Sequence, residues 1–178
     1  DALRDRRILK QNIGYVPDFF GVYDNLKVGE YMEFFASCHH MDGLVARKRY
    51  TALLEQVGLE DKLEVKVGVL SGGQRQAMAL LMSTMTPIEF LILDEHTAAL
   101  DPKTAEIIME LTGKIVREKK LTTIMVTHNL RYAVEYGNRL LMMHQGHAIL
   151  DQTGKDKEGT KVEDLLDKFN EISIECGN

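Results

Sequence analysis

Apolar residues recur along the chain in two different rhythms, which predict helices in one part and strands in another. From residue 28 to residue 57 they return every three or four positions, as along one face of an amphipathic helix. The runs 90–93 and 122–126 are instead continuously apolar or β-branched, which indicates strands that are buried on both faces of a sheet. Because strand and helix alternate from residue 86 onwards, we predict an α/β fold with a parallel sheet.

The same patterns divide the chain into four consecutive parts. We predict a first piece of the sheet core, a helical lobe, a second piece of the core and a C-terminal tail with a short helix: residues 1–23, 24–85, 86–150 and 151–178. Residues 59–69 are charged and show no helical period, so we expect an exposed connection there. Residues 151–161 mix acidic and basic side chains, which favours a solvated loop.

Composition and charge exclude several classes of function. The 178 residues are 44% hydrophobic and 28% charged, which is typical of a soluble globular domain. A formal net charge of -5 gives no general attraction to nucleic acid or to an anionic membrane surface, so we expect no nucleic-acid partner. No apolar run reaches the length of a membrane span, the start is charged, and the two cysteines lie far apart, so we expect a cytoplasmic protein.

Residues 70–76, with the sequence LSGGQRQ, begin an apolar helical stretch that we expect to end near Met85. Ser71 is a favourable N-cap, and Gly72 and Gly73 leave the backbone bare enough for another molecule to approach closely. Such a helix directs unpaired N–H groups and the positive end of its dipole at an anion, most commonly a phosphate. Taken alone, the string is equally compatible with an ordinary capped helix behind a glycine turn.

Two carboxylates, Asp94 and Glu95, directly follow the apolar run 90–93. They are therefore expected at the carboxyl end of a strand, where ligands of open α/β sheets bind. In nucleotide hydrolysis the first acid of such a pair can hold Mg²⁺ and the second can polarise the attacking water. Three features are weak when taken singly: this acid pair, Asp101, and His128 at the exit of the next predicted strand.

In combination these motifs form a specific set: LSGGQ, then LILDE, then ALD, then a strand that ends in histidine. Over residues 10–150 the chain resembles the ATP-binding cassette family, the nucleotide-binding domains of ABC transporters. The resemblance implies a P-loop NTPase-like parallel sheet core with a helical lobe, an ATPase that drives transport, and ATP and Mg²⁺ as cofactors. It also implies two kinds of partner, a second nucleotide-binding domain and transmembrane transporter subunits, at the inner face of the cell membrane.

The resemblance also implies roles for particular residues of this chain. The signature, which contacts the γ-phosphate of ATP held on a partner subunit, comprises Ser71, Gly72, Gly73 and Gln74. Asp94 is implied to bind Mg²⁺, and Glu95 to act as the general base. Asp101 corresponds to the D-loop contact across the dimer, and His128 corresponds to the switch histidine.

The chain departs from the family pattern at two points. Residues 13–17 match the strand that leads into the family's Q-loop, but Asp18 stands where glutamine is expected. An acid at this place can still coordinate Mg²⁺, although it adds negative charge beside a triphosphate. No Gly-x-x-x-x-Gly-Lys-Ser/Thr occurs in the 178 residues, so we expect the family's P-loop to lie upstream of Asp1.

Two alternatives stay open beside the interpretation as a transporter ATPase. The chain could be a fragment or degenerate cassette that acts as a non-catalytic interaction module, or it could belong to a soluble ABC ATPase outside transport. The 52 residues between Asp18 and Ser71 are too few for the coiled coil of DNA-repair members. The first half resembles exporter-type ATPases and the second half amino-acid-uptake types, so a mosaic with a seam near residues 62–70 is a further hypothesis.

We predict that the 178-residue chain on its own binds ATP weakly or not at all. The P-loop lysine and backbone N–H groups supply most of the grip on the β- and γ-phosphates, and these residues contain no P-loop. Isothermal titration calorimetry of the chain with ATP and Mg²⁺ measures this directly. Micromolar affinity would contradict the prediction.

Overall fold

Helices and strands alternate over the residues that the structure, a computed structural model, describes: 6–18, 21 and 23–175. Expectations for the first five residues, for part of the predicted loop 18–21 and for Cys176 lie outside the described residues. The chain divides into two units, Asp1–Val126 and Thr127–Asn178.

Three parallel strands form the sheet of the first unit. They lie side by side in the order β1-β2-β3 and comprise β1 (Ile13–Val16), β2 (Phe90–Asp94) and β3 (Thr122–Val126). Tyr15 lies opposite Ile92, and Asp94 lies opposite Val126, so the carboxyl ends of the strands reach the same edge of the sheet. This arrangement confirms the predicted α/β fold with a parallel sheet.

Five helices accompany this sheet in the described residues, and the three between residues 28 and 85 lie close to where the apolar period predicts them. They are α1 (Arg6–Asn12), α2 (Val28–Cys38), α3 (Gly43–Glu55), α4 (Gly72–Ser83) and α5 (Pro102–Lys119). Helix α3 begins earlier than its apolar residues suggest because the Asp42 carboxylate accepts hydrogen bonds from the backbone amides of Leu44 and Val45. Helices α2, α3 and α4 lie within residues 24–85, the predicted helical lobe, and their inner faces are buried in one core.

Helix α4 packs against β1 at very short range. A Cβ atom built on Gly14 would lie 2.5 Å from the carbonyl oxygen of Ser83, so only glycine permits this approach. Met78, Leu80 and Leu81 of α4 are fully buried in the core. The close packing of helix on strand therefore fixes where α4 begins relative to the strand ends.

The segment 59–69 is largely exposed, as its charges predict, but it is also anchored in the core. It contains two turns of 3₁₀ helix, Glu60–Lys62 and Val67–Val69, and it places Leu59 and Val67 in the core. The amide of Val67 donates to the carbonyl of Leu26, which ties the segment to the residues before α2. The prediction was wrong only in missing this anchoring, because two separated apolar residues without a period are enough to anchor a short irregular segment.

The prediction that the strands are buried on both faces was also wrong. Leu91 and Leu93 are buried against the helices, but on the other face Phe90 is 44% exposed and Ile124 is 58% exposed. The burial of β3 alternates along the strand in the same way. Among the described residues, therefore, only one face of this sheet is well covered, although the strand sequences are apolar on both.

An antiparallel hairpin and three helices form the second unit. The strands β4 (Arg139–His144) and β5 (His147–Thr153) are joined at Gln145 and Gly146. Both of these turn residues have positive φ, 45° and 82°, as a type I′ turn requires. The helices of this unit are α6 (Leu130–Glu135), α7 (Gly154–Gly159) and α8 (Val162–Glu175).

The stretch 151–161 is not the solvated loop that its charges predict. Its first residues continue β5, and the next six form α7. Lys157 is buried, and its ammonium group donates to the carbonyl of Val134 near the end of α6. A lysine at the end of a helix can satisfy a carbonyl that has no partner within the helix while its aliphatic stem is buried.

Over the described part of the chain, no helix combines the length and apolar character that crossing a bilayer requires.

Candidate functional site

The beginning of α4 is closed by a reciprocal pair of hydrogen bonds. The Ser71 hydroxyl accepts from the amide of Gln74 at 3.2 Å, and the Gln74 side-chain oxygen accepts from the amide of Ser71 at 2.9 Å. This capping box confirms the predicted N-cap at Ser71. Ser71 is exposed, so the capped end of the helix faces solvent.

The groups that the cap leaves over are hydrogen-bond donors. Each capping side chain uses an oxygen as acceptor, so the Ser71 O–H and the Gln74 amide N–H groups stay available to donate. They lie at the positive end of the α4 dipole. Such a surface favours the binding of an anion, and this binding does not require the two capping hydrogen bonds to break.

The two glycines of the signature have different surroundings. A Cβ atom on Gly72 would lie 3.2 Å from a Leu100 methyl group, whereas a Cβ atom on Gly73 would lie 2.3 Å from the Thr104 methyl group. The interpretation that both glycines leave room for another molecule is therefore incomplete, because Thr104 of the same chain occupies the space beside Gly73. The start of α4 and the start of α5 thus pack as one surface.

Asp101, the predicted D-loop residue, has a structural role that the sequence reading did not assign. It is the N-cap of α5, and its carboxylate accepts from the amide of Thr104 at 3.1 Å. Hydrogen bonds from the Thr104 hydroxyl and amide hold the pKa of the Asp101 carboxyl below its usual value of 3.8. Because Thr104 also contacts Gly73, Asp101 and the signature are connected through a single residue.

Tyr15 contacts the carboxylate that is predicted to bind Mg²⁺, and sequence reasoning missed it. The Tyr15 hydroxyl donates to Asp94 Oδ2 at 2.9 Å. This bond, together with the charges of Asp94 and Asp18, raises the pKa of Tyr15 above its usual value. Asp94 and Asp18 therefore both act electrostatically on the Tyr15 phenol. The sequence alone does not reveal the contact between Tyr15 and Asp94, because that contact depends on the register of β1 against β2.

Asp18 follows a residue that is tied directly to α4. The side-chain amide of Gln76, which is buried, donates to the carbonyl of Pro17 at 3.0 Å. This bond connects the predicted Q-loop position to the signature helix. In the described ranges, no group of three or more His, Cys, Asp and Glu side chains lies close enough to hold a metal ion by itself.

Glu95 has a backbone conformation that is uncommon for a side chain of its size. Its φ is 47°, in the left-handed region. Its amide donates to the carbonyl of Val126 at 2.9 Å, and its carbonyl accepts from the amide of Ala98 at 2.8 Å. The turn that presents the predicted base is therefore held on both sides by backbone hydrogen bonds.

His96, which directly follows the predicted base Glu95, is almost fully buried. Only 2% of it is exposed, and its Nε2 lies 3.3 Å from the Thr112 hydroxyl of α5. Burial lowers the pKa of His96 to about 4, so the imidazole is neutral near pH 7. The sequence around His96, which directly follows two acids, does not indicate that its imidazole is buried or that its pKa is lowered.

His128, the predicted switch histidine, belongs to the second unit and is exposed. It precedes Asn129, which caps α6 by accepting from the amide of Tyr132 and whose own amide donates to the Thr127 hydroxyl. The turn that carries His128 is thus locally ordered. Its role as the switch histidine stays a prediction.

Comparison with known sequences identifies the class of protein. A sequence model of the family described as "ABC transporter" matches residues 1–98, which is more than half of the chain. The chain therefore belongs to the ABC transporter family, as its motifs indicate.

Curated relatives are ATP-binding proteins of transport systems. The tyrosine transport ATP-binding protein of Clostridioides difficile (strain R20291) is 56% identical over 119 residues, which cover 66% of this chain and 47% of that protein. The phosphonates import ATP-binding protein PhnC of Shigella sonnei (strain Ss046) is 27% identical over 177 residues, which cover 95% of this chain and 68% of that protein. The chain spans about half of the length of the first relative.

A solved structure supports the fold assignment. The dimeric ATP-binding cassette MJ0796, in a post-hydrolysis state bound to ADP and Pi, matches with a TM-score of 0.70 and 29% identity. The match covers 86% of this chain and 67% of that cassette.

We predict that Gly73→Ala destabilises the first unit, because the new methyl group would overlap the Thr104 methyl group. Overpacking of this kind costs about 1–3 kcal/mol in the free energy of unfolding, which chemical denaturation measures. Gly72→Ala is the matched control, with a much smaller expected loss. Adding Thr104→Ser, which removes the methyl group and keeps the hydroxyl, should restore stability; a double variant as unstable as Gly73→Ala would contradict the explanation.

We predict that Asp101→Ala lowers the melting temperature and that Asp101→Asn preserves it at neutral pH, since asparagine also caps helices. Because folding lowers the pKa of Asp101, the contribution of its carboxylate is complete above about pH 3.8 and is lost as the pH falls. Wild-type protein should therefore lose more stability than Asp101→Asn during acidification. Equal melting temperatures of all three proteins across the pH series would rule out the capping role.

Proposed function

We propose that this chain is the part of an ABC transporter ATPase subunit that carries the signature, the catalytic acid and the D-loop. The observation that carries the proposal is the packing of Gly73 on Thr104, whose amide is capped by Asp101. This packing joins the signature and the D-loop residue in a single exposed surface. A surface of that composition suits a nucleotide held by a second copy of the domain.

In the proposed site, the capped start of α4 contacts the γ-phosphate of ATP bound to the partner copy. The donors that remain on Ser71 and Gln74, with the α4 dipole, stabilise the negative charge. The P-loop of the partner copy would hold the β- and γ-phosphates of the same ATP from the opposite side. The conformational change that closes the two copies around ATP is then transmitted to transmembrane partners at the inner face of the membrane.

Asp94 and Glu95 carry the chemical part of the proposal. Asp94, held by Tyr15, would hold Mg²⁺, with Asp18 as a second carboxylate nearby. These donors fit Mg²⁺, which commonly binds one or two carboxylates, substrate phosphates and water rather than a complete protein cage. Bound Mg²⁺ supplies charge neutralisation on the phosphates during transfer. Glu95 orients and deprotonates the attacking water, and His128 donates to a γ-phosphate oxygen.

The names of the relatives support a role in transport. The Clostridioides protein is named for tyrosine transport and the Shigella protein for phosphonates import. These names favour uptake by the complex to which this chain belongs, with the ATPase subunit at the cytoplasmic side. The mosaic hypothesis stays a prediction, because a match of 119 residues does not locate a seam.

We predict that Glu95→Gln lowers the rate of ATP hydrolysis about 10²–10⁴-fold, as loss of a general base does. The measurement needs a protein that extends upstream of Asp1 and carries a P-loop. Glu110→Gln, an exposed acid of α5, is the matched control and should retain the full rate. Equal rates for wild type and Glu95→Gln would remove Glu95 as the base, and a gene without an upstream P-loop would favour the non-catalytic interaction module.

A further inference from the structure

We propose that His96 is a positioning residue, which fastens the left-handed turn at Glu95 to helix α5 through the Thr112 hydroxyl. The catalytic meaning of this contact rests on the proposed role of Glu95 as the general base. The contact itself is a property of the folded chain without nucleotide.

The turn at Glu95 needs an anchor because its backbone is in a sparsely populated conformation. A glutamate with φ of 47° persists only when the surrounding structure determines the conformation. The hydrogen bond of its amide to Val126 extends the sheet by one residue, and that of its carbonyl to Ala98 closes the following turn. Neither bond attaches the turn to the helix that packs beside it.

His96 provides that attachment. Its side chain is buried, and Nε2 lies 3.3 Å from Thr112 Oγ1. The Thr112 hydroxyl donates its own hydrogen to the carbonyl of Ile108 at 2.7 Å, so its oxygen is left to accept. We therefore assign the imidazole hydrogen to Nε2, which donates to Thr112.

The element that receives this bond is rigid. Helix α5 has 18 residues, a capped first turn, and a face that is buried at Ile108, Met109 and Ile115. Since His96 is bonded to Glu95 through one planar peptide group, fixing His96 on this helix restricts the rotation of the Glu95 backbone. A defined backbone in turn limits where the carboxylate can lie.

Hydrogen exchange of the 178-residue chain tests the anchor without any catalysis. His96→Leu keeps apolar bulk and removes the donor, whereas His96→Gln places an amide N–H near the position of Nε2. We expect exchange at the amides of Glu95 and Ala98 to accelerate about tenfold in His96→Leu, which corresponds to about 1.4 kcal/mol of local stability. His96→Gln should stay within about twofold of wild type, and the amide of Tyr50 in α3 reports global opening.

If His96→Leu fails to fold, substitutions of Thr112 in α5 test the same hydrogen bond. Thr112→Val removes the acceptor at nearly constant shape and should accelerate exchange at Glu95 and Ala98 as His96→Leu does. Thr112→Ser keeps the oxygen and should not. Unchanged exchange in both His96→Leu and Thr112→Val would overturn the proposal. Equal acceleration in all four variants would also overturn it, because it would indicate that packing, and not the hydrogen bond, stabilises the turn.

A kinetic measurement separates this inference from the proposed function. In a protein that carries an upstream P-loop, His96→Leu should lower kcat for ATP about tenfold with KM nearly unchanged, and His96→Gln should restore it. The effect should disappear in a Glu95→Gln background. If Glu95→Gln alone leaves kcat unchanged, the assigned base is wrong, while the exchange result still decides whether His96 anchors the turn.

Discussion

The close approach of helix α4 to its neighbours is the constraint on which the rest of the first unit depends. At the carboxyl end of the helix, Gly14 allows the backbone of Ser83 to lie against β1, and at its beginning, Gly73 admits the Thr104 methyl group. Between these contacts Gln76 bonds the loop after β1. The helix is therefore fixed along its length by its contacts with β1, with the loop after β1 and with α5.

Periodicity predicted the helices α2, α3 and α4 and the strands β2 and β3, but it did not predict what covers them. The apolar run of β2 correctly predicted a strand, yet Phe90 and Ile124 lie on an open face of the sheet in the described residues. An apolar run indicates that a face is covered in the folded protein, and it does not indicate which residues cover it. The apolar residues on this face therefore need a cover that the described residues do not supply.

The motifs likewise located the candidate site but not its contacts. Ser71 could be predicted as a cap because the interaction is local in sequence, with both partners inside one helical turn. The bond from Tyr15 to Asp94 joins residues that are 79 positions apart, and it depends on strand register. His96 illustrates the same limit, since nothing near it in the sequence indicates that a threonine of α5 would bury it.

Helix α5 connects these separate observations. Thr104, Ile108 and Thr112 are spaced by four residues and so lie along one face of the helix. The first contacts the signature glycine, and the last holds the turn that presents Glu95. A rigid helix keeps these two contacts at a fixed separation, since each residue adds about 1.5 Å along its axis. Any displacement of α5 would therefore move the surface that we propose to face a partner's nucleotide together with the turn that carries the proposed base, Glu95. In a composite site, the rigid helix α5 could therefore align the signature surface and the Glu95 turn at the same time.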